Sequence, residues 1–534
     1  MRDIRKLMAG AVMALVLGTG ALAADQARAE TVLRRGNGPD AETLDIHKST
    51  GMPDAYIQMD LYEGLLTPGP DATPQPGVAE SWTVSGDDLV YTFTLRDDAK
   101  WSDGTPVTAE DFVHSWRRLV DPATAADYAR FLWPVANAEA ITKGEKPPET
   151  LGVRAVDART LEVTLRAPTP YFLAAQMHPS TYPISKAAHE KFGADHVKPG
   201  NLVSNGAYML AEHVPQSHVK LVKNPHYHGA ADVAVDTVFF HATEDIDAEF
   251  KRFRAGELDT TYEMPPQQIA WAEENMPDAF RNAPYFGTYV YAFNLNNEPW
   301  KSNPELRKAL SLAIDRDLLV EKITQGGELP AYGWIPQGTN HYESQSLDYA
   351  GMTQDERDQL ARELMAEAGY GPDNPLQVEY LSNAGERHRK IAIAIATMWK
   401  QKLGVDVDLR TEEWKVFLDT RDKNAYKDLA RFGWIGDYND ANSFLDLFRS
   451  DIGVQNPADF EDAEYDALLK RAGVEDDLDK RALLMQEAER RLLEAHAIIP
   501  IHHYTRPHMA APHVKGWIGN IMNYHLTRYV SIGE

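Results

Sequence analysis

The chain has 534 residues, no cysteine and a formal net charge of −26. Its length predicts more than one domain around a sizeable core, and the missing cysteines exclude disulfides, thiolate metal sites and cysteine nucleophiles. So acidic a chain is a poor candidate for binding nucleic acid or an anionic bilayer, and good solubility is the plain reading of the charge.

The first 29 residues stand apart. Arg2, Arg5 and Lys6 make a basic start, residues 7–22 are apolar, and two small-x-small sites follow at Ala21-Leu22-Ala23 and Ala27-Arg28-Ala29. That is the layout of a secretory signal peptide, with cleavage expected after Ala29 and after Ala23 as the second choice. A transmembrane anchor needs a longer apolar run, and no later stretch supplies one. The mature protein is expected to be soluble outside the cytoplasm, with no membrane insertion.

Strand and helix signals then alternate. Residues 89–95 read as a strand from their aromatic and β-branched content. Thr108 offers an N-cap with Asp111 three residues on, and Phe112, Trp116 and Leu119 form an apolar helix stripe. Residues 161–165 alternate as a half-buried strand, ended by Pro168 and Pro170. Residues 304–323 read as one helix. Thr353 and Glu356 form a capping box whose helix stops at Gly369 and Pro372. Strands are expected at 376–380, 405–409 and 429–434, with helices over 390–403 and from Trp414 onward. Strand–helix–strand order implies parallel crossovers on an open α/β sheet. No repeat or low-complexity linker interrupts the chain, which favours interleaved domains.

Motifs for chemistry are missing. There is no phosphate loop ending in Gly-Lys-Ser/Thr, no His-Glu-x-x-His and no Gly-x-Ser-x-Gly. His226-Tyr-His228 and His502-His503 are the tight histidine groupings, and both read more readily as polar strand and turn residues than as metal ligands. An enzyme is not expected, nor a metal or other cofactor. The segment 431–445 is more informative. It places Gly433 and Gly436 around Trp434 and Ile435 and ends the strand in Asp437. Glycines admit another backbone closely, and a carboxylate there can meet a ligand ammonium. A strand with a capped turn explains the same residues, and composition leaves both readings open.

Several motifs carry a resemblance: residues 98–111 (Asp-Ala-Lys-Trp-Ser-Asp-Gly-Thr-Pro-Val-Thr-Ala-Glu-Asp), 205–208 (Asn-Gly-Ala-Tyr), 224–227 (Asn-Pro-His-Tyr), 256–259 (Gly-Glu-Leu-Asp), 306–316 and 414–421 (Trp-Lys-Val-Phe-Leu-Asp-Thr-Arg). With 433–437 they run from about Thr31 to the last strand. The chain resembles the bacterial oligopeptide-binding proteins, which are solute receptors of oligopeptide ABC importers, and the related murein-peptide-binding proteins. The resemblance implies a two-lobed periplasmic binding protein fold with three interleaved domains: residues 30–62, 187–286 and 505–534; an insertion over 63–186; and 287–504. It implies short peptides as ligands, importer permease subunits as partners, and a monomer.

Binding peptides of almost any sequence requires reading what all share, the backbone and the termini. By resemblance, Gly433, Ile435 and the Gly287 region supply the backbone edge, with Trp434 among the ligand-binding residues. Asp437 meets the α-ammonium with Tyr128 nearby, and Tyr289 and Trp414 line side-chain pockets. His388 and Arg431 match basic groups for the ligand carboxylate, and Arg421 closes the 414–421 motif. Thr324, Ala292 and Thr50 replace charged family residues, which implies fewer charged contacts and a shifted set of peptides. Rival ligands are a murein tripeptide, a dipeptide, haem or a metal chelate. Rival classes are a peptidase and a periplasmic holdase chaperone.

Overall fold

Local signals fold as their chemistry dictates. The capping box at Thr108 forms, with the Thr108 amide donating to Asp111 Oδ2 at 2.9 Å, and it starts the helix Ala109–Val120 that buries Phe112, Trp116 and Leu119. The box at Thr353 and Glu356 starts Gln354–Glu367 in the same way. These belong to a computed structural model that describes residues 30–452 and 456–533; the expected signal peptide lies outside the described residues.

Three larger sheets organise the chain from Thr31 onward. The first has the order Val32–Gly36, Thr237–His241, His218–Lys223, Tyr208–Val214, and its first pair is parallel. The second is antiparallel, in the order Ala79–Val84, Val90–Leu95, Thr160–Thr164, Val153–Asp157. One continuous core joins these two sheets and takes in Val514 and Val530 from the chain's end. The third sheet has six strands in the order Leu329–Pro330, Ile498–Thr505, Pro284–Phe293, Leu429–Ile435, Gln377–Asn383, Asp406–Glu412, and a second large core surrounds it.

Two expectations are corrected here. The third sheet is mixed. Its flank of Gln377–Asn383, Asp406–Glu412 and Leu429–Ile435 is parallel, joined by local helical crossovers. Its centre is antiparallel, because Pro284–Phe293 and Ile498–Thr505 arrive from distant parts of the chain. The single helix expected over 304–323 breaks after Leu312. Asp315 caps a new turn by accepting the Leu318 amide at 3.0 Å. That turn carries Arg316 into the core, where Nε donates to the carbonyls of Ala331 and Pro500, both at 2.8 Å. A buried guanidinium needs such acceptors, and a continuous helix would not deliver it to them.

Candidate functional site

The strand Leu429–Ile435 brings most of the expected residues together. It runs antiparallel to Pro284–Phe293, with Ile435 opposite Gly287, Trp434 opposite Thr288, Gly433 opposite Tyr289 and Arg431 opposite Tyr291. Only glycine fits at 287: a Cβ there would lie 2.2 Å from Ile435 Cδ1 and 2.9 Å from the Trp434 carbonyl. On its other side the strand meets Gln377–Asn383 only at Leu429 and Ala430. From Arg431 to Ile435 that side pairs with no strand among the described residues, which leaves an edge open to an added strand. Gly287 pairs with Ile435 on this strand, while on its other flank the pairing with Ile498–Thr505 is interrupted between Pro284 and Thr288, so Gly287 lies at a break in that ladder.

Asp437 closes this edge. Its backbone N–H donates to Ser443 Oγ at 3.1 Å, and its carboxylate receives Arg130 Nη1 at 2.8 Å on Oδ2. Burial raises the Asp437 pKa, and the Arg130 charge opposes that rise. Aromatic rings crowd around the pair. Tyr128 and Phe131 pack on His178 with centroids 4.5 and 4.3 Å away, and Tyr438 stacks on Tyr171 at 5.2 Å. Tyr128 lies under the Arg130 guanidinium at 5.5 Å and feels the Asp437 charge. Arg130, only two residues further along, escaped sequence reading; its offset from Tyr128 was the available signal.

At the other end lies a cationic, aromatic group. The Arg431 guanidinium rests over the Tyr289 ring at 5.4 Å, with Tyr504 beside it, and tyrosines rather than a carboxylate surround it among the described residues. His388 stacks on the same tyrosine. Burial, then Arg431 and Arg387, push its pKa down to about 4. Arg387 is the second residue that sequence reading missed. Glu328 accepts the Thr324 hydroxyl at 2.8 Å and the Gly326 amide at 2.9 Å, and it ion-pairs with Arg387. Thr324, where the resemblance implies a charged residue, thus bonds a glutamate that also ion-pairs with Arg387. Arg387, Glu328, Ile435 and Tyr504 line a cavity of about 420 Å³, together with Arg506 and its ion-pair partner Glu263.

Other expected residues lie apart. Trp414 is 46 % exposed and stacks on Phe417 at 5.9 Å. Arg421 donates to its neighbour Asp422 at 2.7 Å and packs over Phe417 and Phe432. Thr50 is exposed ahead of the helix Met52–Leu61, and Ala292 is fully buried in the third sheet. His228 bonds Glu63 at 2.7 Å, and His503 meets Thr288 Oγ1 at 2.9 Å. No group of three metal-ligating side chains forms among the described residues.

The model for bacterial extracellular solute-binding proteins, family 5 Middle, matches residues 73–456. The periplasmic oligopeptide-binding protein of Escherichia coli is 41 % identical over 519 residues, which is 96 % of this chain and 95 % of that protein. A periplasmic murein tripeptide-binding protein in its unliganded open form superposes with a TM-score of 0.86 at 39 % identity, over 94 % of this chain and 98 % of that one. OppA of Haemophilus influenzae in complex with the peptide RPPGFSPFR gives 0.76 at 37 % identity, over 95 % and 99 %.

Proposed function

The chain belongs to the family 5 bacterial extracellular solute-binding proteins, and from that premise we propose that it is the periplasmic receptor of an oligopeptide ABC importer. It captures short peptides and passes them unaltered to the importer's membrane permease subunits, and it acts as a monomer. Residues 1–29 are its secretion signal, cleaved after Ala29. Residues 30–62, 187–286 and 505–534 form one domain, 63–186 an insertion beside it, and 287–504 the facing lobe. No described helix is long and apolar enough to cross a membrane.

One observation carries the reading: an unpaired strand edge over 431–435 ends at the half-sequestered carboxylate of Asp437. The edge reads the peptide backbone and Asp437 the α-ammonium, so affinity is independent of most side chains. The cations Arg431 and Arg387 receive the ligand carboxylate. Lobe closure then biases an open–closed equilibrium toward the form the importer accepts.

Calorimetric titration of refolded, ligand-free protein with di- to pentapeptides tests this. Tight binding over a limited length range is expected, with a loss of about 3–5 kcal/mol for Asp437→Ala and a comparable loss on N-acetylation of the peptide. Equal binding of acetylated peptides would refute the Asp437 anchor. The close superposition on the murein tripeptide-binding protein favours murein peptide as the second ligand to titrate.

A further inference from the structure

The Arg130–Asp437 pair poses a charge problem for any peptide that uses Asp437. Arg130 is 36 % exposed and Asp437 14 %, and the pair joins segments 307 residues apart. The neighbouring carboxylates are engaged elsewhere: Asp440 holds Arg481 at 2.7 and 2.8 Å, and Asp446 holds Arg449 at 2.9 Å. His178, packed against Tyr128 and Phe131, is held neutral by burial, with its pKa near 3. Asp127 acts on Tyr128 more weakly than Asp437 does, so in direct contact the group balances Arg130 against Asp437. An arriving ammonium leaves one positive charge unmatched in a poorly hydrated recess, which is costly.

A ligand can supply the missing negative charge itself. Asp437 Oδ1 takes no hydrogen bond from the described residues, and the Arg130 guanidinium makes one hydrogen bond there, through Nη1. Its other N–H groups are free to grip a carboxylate in the two-pronged manner of arginine. In a peptide beginning with aspartate or glutamate, the α-ammonium and the side-chain carboxylate lie only a few bonds apart. The ammonium reaches Asp437 while the carboxylate reaches Arg130, and the four charges balance.

We propose that Arg130 is a specificity-determining residue that selects ligands with an acidic residue at their amino-terminal end. The proposal rests on the reading of Asp437 as the ammonium anchor. In wild-type protein, peptides beginning with Asp or Glu bind about tenfold tighter than the matched Ala-first peptides, and Lys-first peptides bind weakest.

The test titrates the refolded full chain with Asp-, Glu-, Ala- and Lys-first peptide series of two to five residues, each free and N-acetylated. Arg130→Ala is expected to erase the difference between acid-first and Ala-first peptides, and Arg130→Glu to reverse it in favour of Lys-first. Both variants leave Asp437 without its partner and are expected to unfold at a lower temperature than the wild type, so the titrations are run below the lowest midpoint found in a thermal scan, where all three proteins are folded. Acetylation that abolishes binding, together with a first-residue preference that is absent or survives Arg130→Ala, overturns the Arg130 assignment alone. Acetylated peptides that bind as well as free ones overturn both the assignment and the anchor on which it rests.

Discussion

The imidazole of His388 lies nearly parallel to the ring of Tyr289, with 5.7 Å between centroids and 18° between planes. Burial, then the Arg431 and Arg387 charges, keep it neutral, with its pKa pushed down to about 4. A ligand carboxylate placed among these cations brings an opposite charge to the ring and raises that pKa. Binding then takes up a proton, so affinity for peptides with a free carboxylate should rise several-fold between pH 6 and 4, relative to amidated controls. The amidated control cancels any titration at Asp437. His388→Gln should flatten the ratio. A ratio that stays constant with pH in the wild type would place the ligand carboxylate away from His388.

Stability should follow other histidines. Burial holds His178 near 3 and His241, His503 and His508 near 4. Each stays neutral when folded but protonates below about 6.5 when unfolded, so its contribution is complete above that pH and is lost as pH falls toward 4. Glu249 and Glu489, raised by burial to about 7, act the other way and gain stability as pH falls from 7 to 4.5. Asp45, held near 2 by Arg118 against its burial, loses its contribution last, between 3.8 and 2. Urea unfolding at a series of pH values should show a plateau above pH 7, a shallow decline to about 4.5 and a steep one below. A rise in stability from pH 6.5 to 5 would contradict this balance.

Much of this was legible in the sequence because it is local. The capping boxes at Thr108 and Thr353, the buried face of Ile391, Ile395, Met398 and Trp399, and the Gly433–Asp437 edge depend on neighbours a few residues away. What escaped depends on distant partners. Arg130 meets Asp437 across 307 positions, and Arg387 gains its place from Glu328. The break before Arg316 answers to carbonyls of Ala331 and Pro500 that no window around it contains. Positions compared one at a time also miss what surrounds them: Thr324 bonds Glu328, and Glu328 pairs with Arg387, 63 residues from Thr324.

The loop that carries Asp437 is fastened by Asp440 and Arg481. Their two hydrogen bonds, 2.7 and 2.8 Å, are nearly sealed from solvent, with the Arg481 side chain 4 % exposed. Asp440→Ala strands that guanidinium and should cost about 3–5 kcal/mol in urea unfolding. Because Asp440 lies three residues past Asp437, the variant should also weaken peptide binding at temperatures where it remains folded. Unchanged stability would mean that Arg481 finds another acceptor.

Alanine at Gly287 and at Gly433 should separate folding from binding on opposite strands of one sheet. At Gly287 the new methyl meets the Trp434 carbonyl at 2.9 Å, a backbone atom that moves only if the strands part. Gly287→Ala should lose about 1–3 kcal/mol of stability. At Gly433 the nearest atom is the Tyr504 hydroxyl at 3.0 Å, a side-chain tip able to swing aside, and the nearest backbone atom is the Thr288 carbonyl at 3.5 Å. The fold should take that methyl with little loss, while a peptide backbone seeking the open edge meets it directly. Gly433→Ala is therefore expected to unfold like the wild type and to bind peptides at least tenfold more weakly in calorimetric titration. Wild-type affinity in this variant would show that the ligand backbone does not approach the strand at Gly433, and the edge assignment would fail with it.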